Sequence, residues 1–301
     1  MNKTAQPHAL QTELAAKVNR WMGSAERRAT DIPGLTLVRR TRLKAPGCYT
    51  YEPSIAVIAQ GSKRVDLGKR SYTYDASRFL LTSIDLPISS RLLEASEEKP
   101  FLGLVLRLEL PVVRDLLSRD EIEVAETPSD GPAMATGENT PELLGAFIRL
   151  VDLLDAPRDI AVLSALIQRE ITYRILRGPA GGRLREIATL GDQSHRTAKA
   201  IAWIKANYAE PLRVEKLARL AGMGLSTFHR RFRDLTAMSP LQYQKQLRLQ
   251  NARGRMLMDG LDAATAAFEV GYESPSQFNR EYNRLFGQPP IRDVQALRSQ
   301  A

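Results

Sequence analysis

Apolar and polar positions divide the chain into a β-rich first part and a helical remainder. Between residues 33 and 108, short apolar runs alternate with turn-forming residues such as Gly61-Ser62 and Gly68-Lys69. The runs predict strands at residues 35–38, 55–59, 78–82 and 101–106. Because no long helix fits between them, we expect closely spaced antiparallel strands that close into a small barrel or pack as a sandwich.

Helical periodicity begins after Pro111. Residues 124–141 are polar and rich in Pro, Gly, Ser and Thr, so they predict a loop. Two apolar-periodic segments at residues 142–154 and 160–176 then predict an antiparallel helix pair that packs on the barrel or on a second subunit. A glycine-rich run at residues 178–182 ends the second helix, and we place the connection between two domains just after it.

A sequence repeat occupies the last part of the chain. Phe228 and Phe232 correspond to Phe278 and Tyr282, which lie 50 residues later, and the residues around each pair match as well. Each copy follows a short apolar helix and has glycine at the turn. A short helix, a turn and a second helix form the helix-turn-helix motif, so the sequence predicts two such units.

The second helix of each unit has an apolar and a polar side. Apolar residues recur at i, i+3, i+7 and i+10, which predicts a buried side made of Leu225, Phe228, Phe232 and Leu235 in one copy and of Pro275, Phe278, Tyr282 and Leu285 in the other. The opposite stripes carry Ser226, His229, Arg230 and Arg233, and Ser276, Asn279, Arg280 and Asn283. Arginine pairs bidentately with guanine, asparagine with adenine, and hydroxyls with base or phosphate, so these stripes suit a DNA groove.

Residues 197–292 resemble the DNA-binding domain of the AraC/XylS-type transcription regulators. The resemblance is strongest in the stretch AFEVGYESPSQFNR at residues 267–280 and in FGQPP at 286–290. It implies seven helices, with the two units joined by a long helix at Pro240–Met258. It also implies that Ser226, Thr227, His229 and Arg230 face one major-groove segment of duplex DNA and that Ser276, Gln277, Asn279 and Arg280 face the next.

The chain departs from that family pattern at two places. Gly224 stands where the first unit usually has a serine that caps the helix, so that helix is expected to start less firmly. Residues 290–293 read PIRD, without the aromatic-arginine pair that usually follows the prolines, which leaves the end of the chain without a structural expectation.

Residues 30–180 resemble the cupin-like sensor domain of one subgroup of the same family, on stretches such as AQGSKR at 59–64 and the run at 80–87. The resemblance implies a sensing role but no particular ligand, and small β-barrels often hold a ligand inside. We therefore predict an α+β chain. Residues 1–182 form a cupin-like antiparallel β-barrel with a helical pair, and residues 190–301 form an all-α domain with two helix-turn-helix units.

Charge separates the two predicted domains. The chain carries a net charge of +9. From residue 190 onward there are 17 Lys and Arg against 10 Asp and Glu, whereas residues 1–189 carry 26 against 24. A basic domain beside a nearly neutral one is expected if only the basic domain binds a polyanion. No apolar run approaches the ~20 residues that cross a bilayer, and none at the start has signal-peptide length, so we expect a cytoplasmic protein.

The main rival function is an enzyme that holds iron or manganese in the barrel. Such a site needs two or three clustered histidines plus a carboxylate. The only histidines are His8, His195 and His229, none of them in the barrel. No catalytic arrangement such as G-x-S-x-G occurs. We therefore predict no enzyme activity, no catalytic residue, no metal and no cofactor.

The single cysteine, Cys48, excludes an internal disulfide and a cysteine-rich zinc site. Two interpretations stay open: an inert small residue near a turn, or a sensor thiol for electrophiles or oxidants. Arg42 and Lys44 are close in sequence and would lower the pKa of the thiol if they are also close in space.

The predicted partners are double-stranded DNA at promoter sites, RNA polymerase, a small-molecule inducer and a second copy of the chain. We class the protein with activators, although nothing in the residues separates activation from repression. The alternative is a metal-free cupin protein that binds RNA or has a purely interaction role. RNA-binding modules usually expose aromatic residues for base stacking, whereas the aromatics here fall on the faces predicted to be buried.

Overall fold

A β-rich domain with attached helices forms the first part of the protein in a computed structural model, which describes residues 5–43, 47–118, 131–189 and 193–299. Its strands are β1 (Arg27–Ala29), β2 (Leu35–Arg40), β3 (Gly47–Tyr51), β4 (Ser54–Gln60), β5 (Ser62–Leu67), β6 (Arg70–Asp75), β7 (Arg78–Thr82), β8 (Leu86–Glu94), β9 (Phe101–Arg107) and β10 (Met134–Glu138). Its helices are α1 (Ala5–Met22), α2 (Leu110–Leu117), α3 (Pro141–Asp152), α4 (Pro157–Arg177) and α5 (Gly181–Ala188), with a short 3-10 turn at Leu153–Asp155.

The strands form two open antiparallel sheets. The larger has the order β1-β2-β9-β4-β7-β10, and the smaller has the order β3-β8-β5-β6. The antiparallel β prediction is confirmed, but the closed barrel is wrong, because no strand pairing links the described strands of one sheet to those of the other. The predicted loop at 124–141 is also wrong in part, since β10 pairs with β7 and completes the edge of the larger sheet. The remainder of that loop, up to residue 130, lies outside the described residues.

One face of the larger sheet packs on helices. Leu37, Ile55 and Leu104 project from this face into a core that also contains fully buried side chains of α1 and α3. The predicted helix pair is confirmed as α3 and α4, and α3 packs against α1 beside the sheet. The helix α1, which the sequence pattern did not predict, contributes Leu14 and Val18 to this core. Helix α4 ends at Arg177 beside the glycine-rich run, as predicted.

Seven helices lie within the described residues 193–299, in agreement with the family resemblance. They are α6 (Gln193–Ala206), α7 (Val214–Leu220), α8 (Leu225–Thr236), α9 (Pro240–Met258), α10 (Ala263–Glu269), α11 (Pro275–Phe286) and α12 (Pro290–Arg298). Helices α7 and α8 form the first helix-turn-helix unit, and α10 and α11 form the second. The long helix α9 begins at a capping box, in which Ser239 and Gln242 satisfy each other's backbone N–H groups.

The first unit shares its core with the smaller sheet. Leu67 and Tyr74 of that sheet belong to the same buried cluster as Phe228 and Phe232 of α8. The second unit has a separate core around Phe278 and its neighbours on α9 and α10. The predicted boundary at residue 182 falls inside α5, which packs on α2 of the first part and on α6 of the second. The hydrophobic core is thus continuous from the smaller sheet to the first helix-turn-helix unit.

Candidate nucleic-acid interface

Aromatic side chains anchor the second helix of each unit. The ring centroids of Phe228 and Phe232 lie 5.6 Å apart, and Phe232 meets Tyr243 of α9 edge-on at the same distance. In the second unit the centroids of Phe278 and Tyr282 lie 5.4 Å apart. All of these side chains are fully buried, so the predicted buried faces are confirmed for the aromatics. They fix the rotation of each helix about its own axis and thereby the face it presents to solvent.

Leu225 is the exception on the first helix. The apolar spacing predicts a core position, but 42% of its side chain is exposed. It is the first residue of α8, and the helix begins beyond the edge of the aromatic core. In the second unit Pro275 and Leu285 are only half-buried. The regular apolar spacing therefore extends past the core at the ends of these helices.

The polar residues of both helices lie on the surface. Exposed positions are Ser226, Arg230, Arg233, Ser276, Gln277, Asn279, Arg280 and Asn283, and the half-buried ones are Thr227 and His229. Among the described residues, none pairs its carboxylate with Arg230, Arg233 or Arg280. The structure thus brings the predicted base-contacting residues onto two solvent-facing stripes, one on each unit, and their contact with DNA stays a prediction.

The ends of the two helices are built differently. Ser274 caps α11 by accepting a hydrogen bond from the backbone N–H of Gln277, whereas Gly224 gives α8 no side-chain cap. The weaker start expected from Gly224 therefore has a structural counterpart. At the other end, α11 stops at Gly287 in the left-handed conformation, which glycine adopts without strain. Helix α8 stops in the same conformation at Ala237, with φ 58°.

Contacts from the β-rich domain hold that strained end of α8. The turn between β5 and β6 places Gly68, itself at φ +59°, so close to Ala237 that a Cβ on the glycine would lie 2.7 Å from the carbonyl oxygen of Ala237. The backbone N–H of Ala133 donates to the carbonyl of Leu235 at 2.9 Å. A left-handed alanine costs about 1 kcal/mol. These contacts offset that cost and tie the first unit to the smaller sheet.

A buried polar cluster joins three helices of the second unit. Arg253 of α9 donates two hydrogen bonds of 2.7 Å to the carboxylate of Asp293 on α12, and the hydroxyl of Tyr282 donates to the same carboxylate at 2.7 Å. Burial, together with this acceptor, raises the pKa of the Tyr282 phenol well above its usual range. The guanidinium of Arg253 also stacks over Phe286, 4.4 Å from the ring centroid. Asp293 thus anchors α12 to α9 and α11, in the part of the chain for which the sequence offered no structural prediction.

A cleft of about 1090 Å³ opens between the two sheets and is closed on one side by the second part of the chain. Residues of both sheets and of α9 line it, among them Thr36, Val38, Ala56, Leu92, Leu247, Asn251 and Gly254. Lys63 lies in the wall and donates to the hydroxyl of Tyr51 at 2.6 Å, and it forms an ion pair with no described carboxylate. Gln250 of α9 accepts a hydrogen bond from Thr50, while its buried Nε2 finds no acceptor among the described residues. The cleft therefore offers unused donors beside apolar walls.

Cys48 lies in β3 at the edge of this cleft, half-buried against the second unit. Burial raises the pKa of its thiol, and the nearby charge of Arg253 only partly opposes this. Arg42 is not among the charges that lower the pKa of this thiol. Arg42 forms an exposed ion pair with Glu97, and Lys44 lies outside the described residues. At neutral pH the thiol is protonated, which is the less reactive form.

Two helix-turn-helix units with solvent-facing polar stripes thus follow a β-rich part that borders a cleft. Residues 31–183 match the family profile described as the AraC-type transcriptional regulator N-terminus, and residues 217–295 match a helix-turn-helix domain profile. The chain belongs to the family of AraC-type transcriptional regulators.

Curated relatives match mainly the C-terminal part. The chain is 29% identical over 111 residues to the HTH-type transcriptional activator RhaS of Pectobacterium carotovorum subsp. carotovorum (strain PC1) and 32% identical over 105 residues to RhaS of Yersinia pestis (strain Pestoides F). These matches cover 37% and 35% of this chain. The chain spans 38% of the length of each of these relatives.

Solved structures resemble the whole fold. ToxT from Vibrio cholerae superposes with a TM-score of 0.54 at 12% identity, and the match covers 86% of this chain and 97% of ToxT. Wild-type ToxT with a bound unsaturated fatty acid gives a TM-score of 0.51 at 12% identity, covering 86% and 94% of the two chains. At this identity the likeness concerns the fold. No described helix is long and apolar enough to cross a membrane.

Proposed function

We propose that this chain is a sequence-specific DNA-binding regulator whose two units occupy two adjacent major-groove segments of duplex DNA. The observation that carries the proposal is the pair of exposed polar stripes on α8 and α11, each held in place by its own buried aromatic residues. Free guanidinium groups on both stripes suit guanine or phosphate, and Asn279 and Asn283 suit adenine. Two units in one chain cover two segments about one turn, ~10 base pairs, apart, and the site need not be palindromic.

An RNA-binding role is the rival, and the burial of the aromatics argues against it. Phe228, Phe232, Phe278 and Tyr282 have no exposed surface on which a base could stack. Competition between duplex DNA and single-stranded RNA of matched length separates the two functions. Preference for RNA in that competition would contradict the proposal.

Replacing either stripe's central arginine should weaken binding and relax base preference in one half of the site only. Arg230→Ala and Arg280→Ala should each reduce affinity by about 1–3 kcal/mol, because each removes one bidentate base contact. Footprinting on a selected duplex, with binding titrations on variants of each half, measures this. Arg158→Ala, an exposed arginine of α4, is the matched control and should bind as wild type does. A footprint confined to one segment and unchanged by Arg280→Ala would show that the second unit does not read bases.

We further propose that the cleft between the sheets is the inducer site. A compound held there touches both sheets and α9, so its affinity can differ between two arrangements of the domains, which is the condition for a ligand to shift DNA occupancy. Lys63, which has no carboxylate partner among the described residues, and the Gln250 amide, whose Nε2 has no acceptor there, are both donors, and the walls beside them are apolar. An organic acid with an apolar body fits this chemistry, and ToxT is described with a bound fatty acid.

Lys63→Met should abolish most of the response to such an acid. In wild type, decanoate should raise the melting temperature more than decanol does, because only the acid can pair with the ammonium group. A charge-assisted hydrogen bond contributes about 1.5–3 kcal/mol, so the variant should bind decanoate at least tenfold more weakly. Thermal-shift titration measures both compounds, with Lys69→Met on the exposed β5–β6 turn as control. Equal stabilisation by decanol and decanoate would contradict an anionic head group.

The remaining predicted partners are proposed on narrower grounds. Helix α4 exposes Val162, Leu163 and Leu166, and this apolar face supports a homodimer seam. Contact with RNA polymerase and a cytoplasmic location follow from the proposed role in transcription, and the RhaS relatives are described as activators. The protonated thiol of Cys48 favours reversible binding over capture of an electrophile. A sensor role for that thiol stays a prediction.

A further inference from the structure

We propose that Leu225 reads the methyl group of a thymine in the DNA segment bound by the first unit, an inference that rests on the proposed DNA-binding function. Leu225 opens α8, the helix that carries Ser226 and Arg230. Apolar spacing assigns it to the core, yet 42% of its side chain stays exposed. Leu225 thus gives an apolar surface to the first turn of a helix whose exposed stripe is otherwise polar.

The helix places Leu225 in line with polar residues of the stripe. Residues at i, i+4 and i+8 follow one another along a helix surface, and Leu225, His229 and Arg233 have that spacing. Arg233 is exposed and His229 is half-buried. Leu225 therefore extends the stripe by one turn toward the helix N-terminus.

The N-terminal end of α8 is open. A Cβ built on the preceding residue, Gly224, would meet no heavy atom within 4 Å. Recognition helices contact base edges mainly through their N-terminal residues, so an uncovered first turn is the part of α8 that enters a groove most deeply. Leu225 is then among the first side chains to meet a base pair.

The chemistry of the groove selects the partner. Leucine has neither donor nor acceptor, and a base edge without an apolar group would lose solvation against it. The thymine methyl is the apolar group that a base pair presents in the major groove. Burial of one methyl-sized group against Leu225 should change affinity about fourfold.

The second unit lacks this device. Its helix begins with Pro275, a rigid and half-buried residue at the equivalent position, followed by the exposed polar residues Ser276 and Gln277. We therefore expect methyl reading at the start of the first helix and hydrogen bonding at the start of the second.

The test replaces each thymine of a selected binding duplex, one at a time, by uracil, which removes only the methyl group. Wild-type protein should lose about fourfold in affinity at one position within the segment read by the first unit. Leu225→Ala should bind the parent duplex about fourfold more weakly and show no further loss at that position. Leu225→Met, which keeps an apolar side chain of similar reach, should retain the penalty. Leu93→Ala, a leucine of β8 with 38% exposure, is the matched control and should give the wild-type scan.

The outcomes separate this inference from the function on which it rests. If wild-type protein selects a specific duplex but no uracil penalty disappears in Leu225→Ala, methyl reading by Leu225 is overturned and the DNA-binding function stands. If wild-type protein selects no duplex at all, the proposed function itself is overturned. A melting temperature of Leu225→Ala equal to that of wild type ensures that its lost penalty reports a lost contact.

Discussion

The affinity of the protein for its duplex should fall roughly a thousandfold between 50 and 200 mM monovalent salt. Binding that neutralises ~6 phosphates releases their counterions, which gives a slope near −5 in a plot of log affinity against log salt concentration. The basic residues required are concentrated from residue 190 onward, where the net charge is +7. Fluorescence anisotropy on a labelled duplex across this salt range measures the slope.

Single substitutions sharpen the salt experiment. Arg233→Ala should reduce the slope by about one if its guanidinium contacts a phosphate. Arg158→Ala, in the β-rich domain, should leave the slope unchanged. An affinity that varies less than tenfold over the same range would contradict a DNA interface built on the helix-turn-helix units.

Asp293→Ala should destabilise the second unit by about 3–5 kcal/mol. The substitution leaves the buried guanidinium of Arg253 without its counter-charge and removes the acceptor of Tyr282, and breaking one half of a buried ion pair has this cost. The side chains of Arg253 and Asp293 are only 14% and 10% exposed, so water compensates little. Hydrogen exchange of α11 and α12 reports the second unit directly, and urea unfolding reports the free energy.

Glu269→Ala provides the comparison for that experiment. It removes the carboxylate that pairs with Arg255. The side chains of Arg255 and Glu269 are 39% and 40% exposed, and solvent-exposed ion pairs contribute at most about 1 kcal/mol. Equal effects of the two substitutions would show that the Asp293 cluster is not an anchor of the second unit. Loss of DNA binding in Asp293→Ala should be confined to the half of the site read by α11.

Both helix-turn-helix units could be predicted because the apolar spacing of each second helix indicates its buried face, whereas the count of seven helices followed from the family resemblance. The four predicted strands are β2, β9, β4 and β7, which are adjacent in the larger sheet. In β4, β7 and β9 the apolar runs are nearly continuous because one face packs on the helices and the other contributes Ile58, Leu80 and Phe101 to the core shared with the smaller sheet. In the smaller sheet, apolar positions are interrupted by polar residues such as Lys63 and Arg64 of β5. The apolar runs were therefore too short to predict these strands.

Features that depend on distant parts of the chain could not be predicted. Asp293 is a charged residue that would be expected at the surface. Its buried ion-pair partner, Arg253, lies 40 positions away in the sequence. Lys63 and Gln250 come from different domains and form one cleft only through tertiary packing. The raised pKa of Cys48 follows from its burial against α9 and α11. Exposure of Leu225 likewise reflects where the aromatic core ends.

Modular exchange of domains has a limit in this protein. The first helix-turn-helix unit depends on contacts from the β-rich domain. The β5–β6 turn supports the left-handed Ala237, and Phe228 shares its core with Tyr74. The second unit closes its own helix end with Gly287 and has its own core. A cut at residue 190 would therefore remove part of the hydrophobic core of the first unit and leave the core of the second unit whole. A domain exchange that keeps both helix-turn-helix units folded must therefore transfer the smaller sheet together with the first unit.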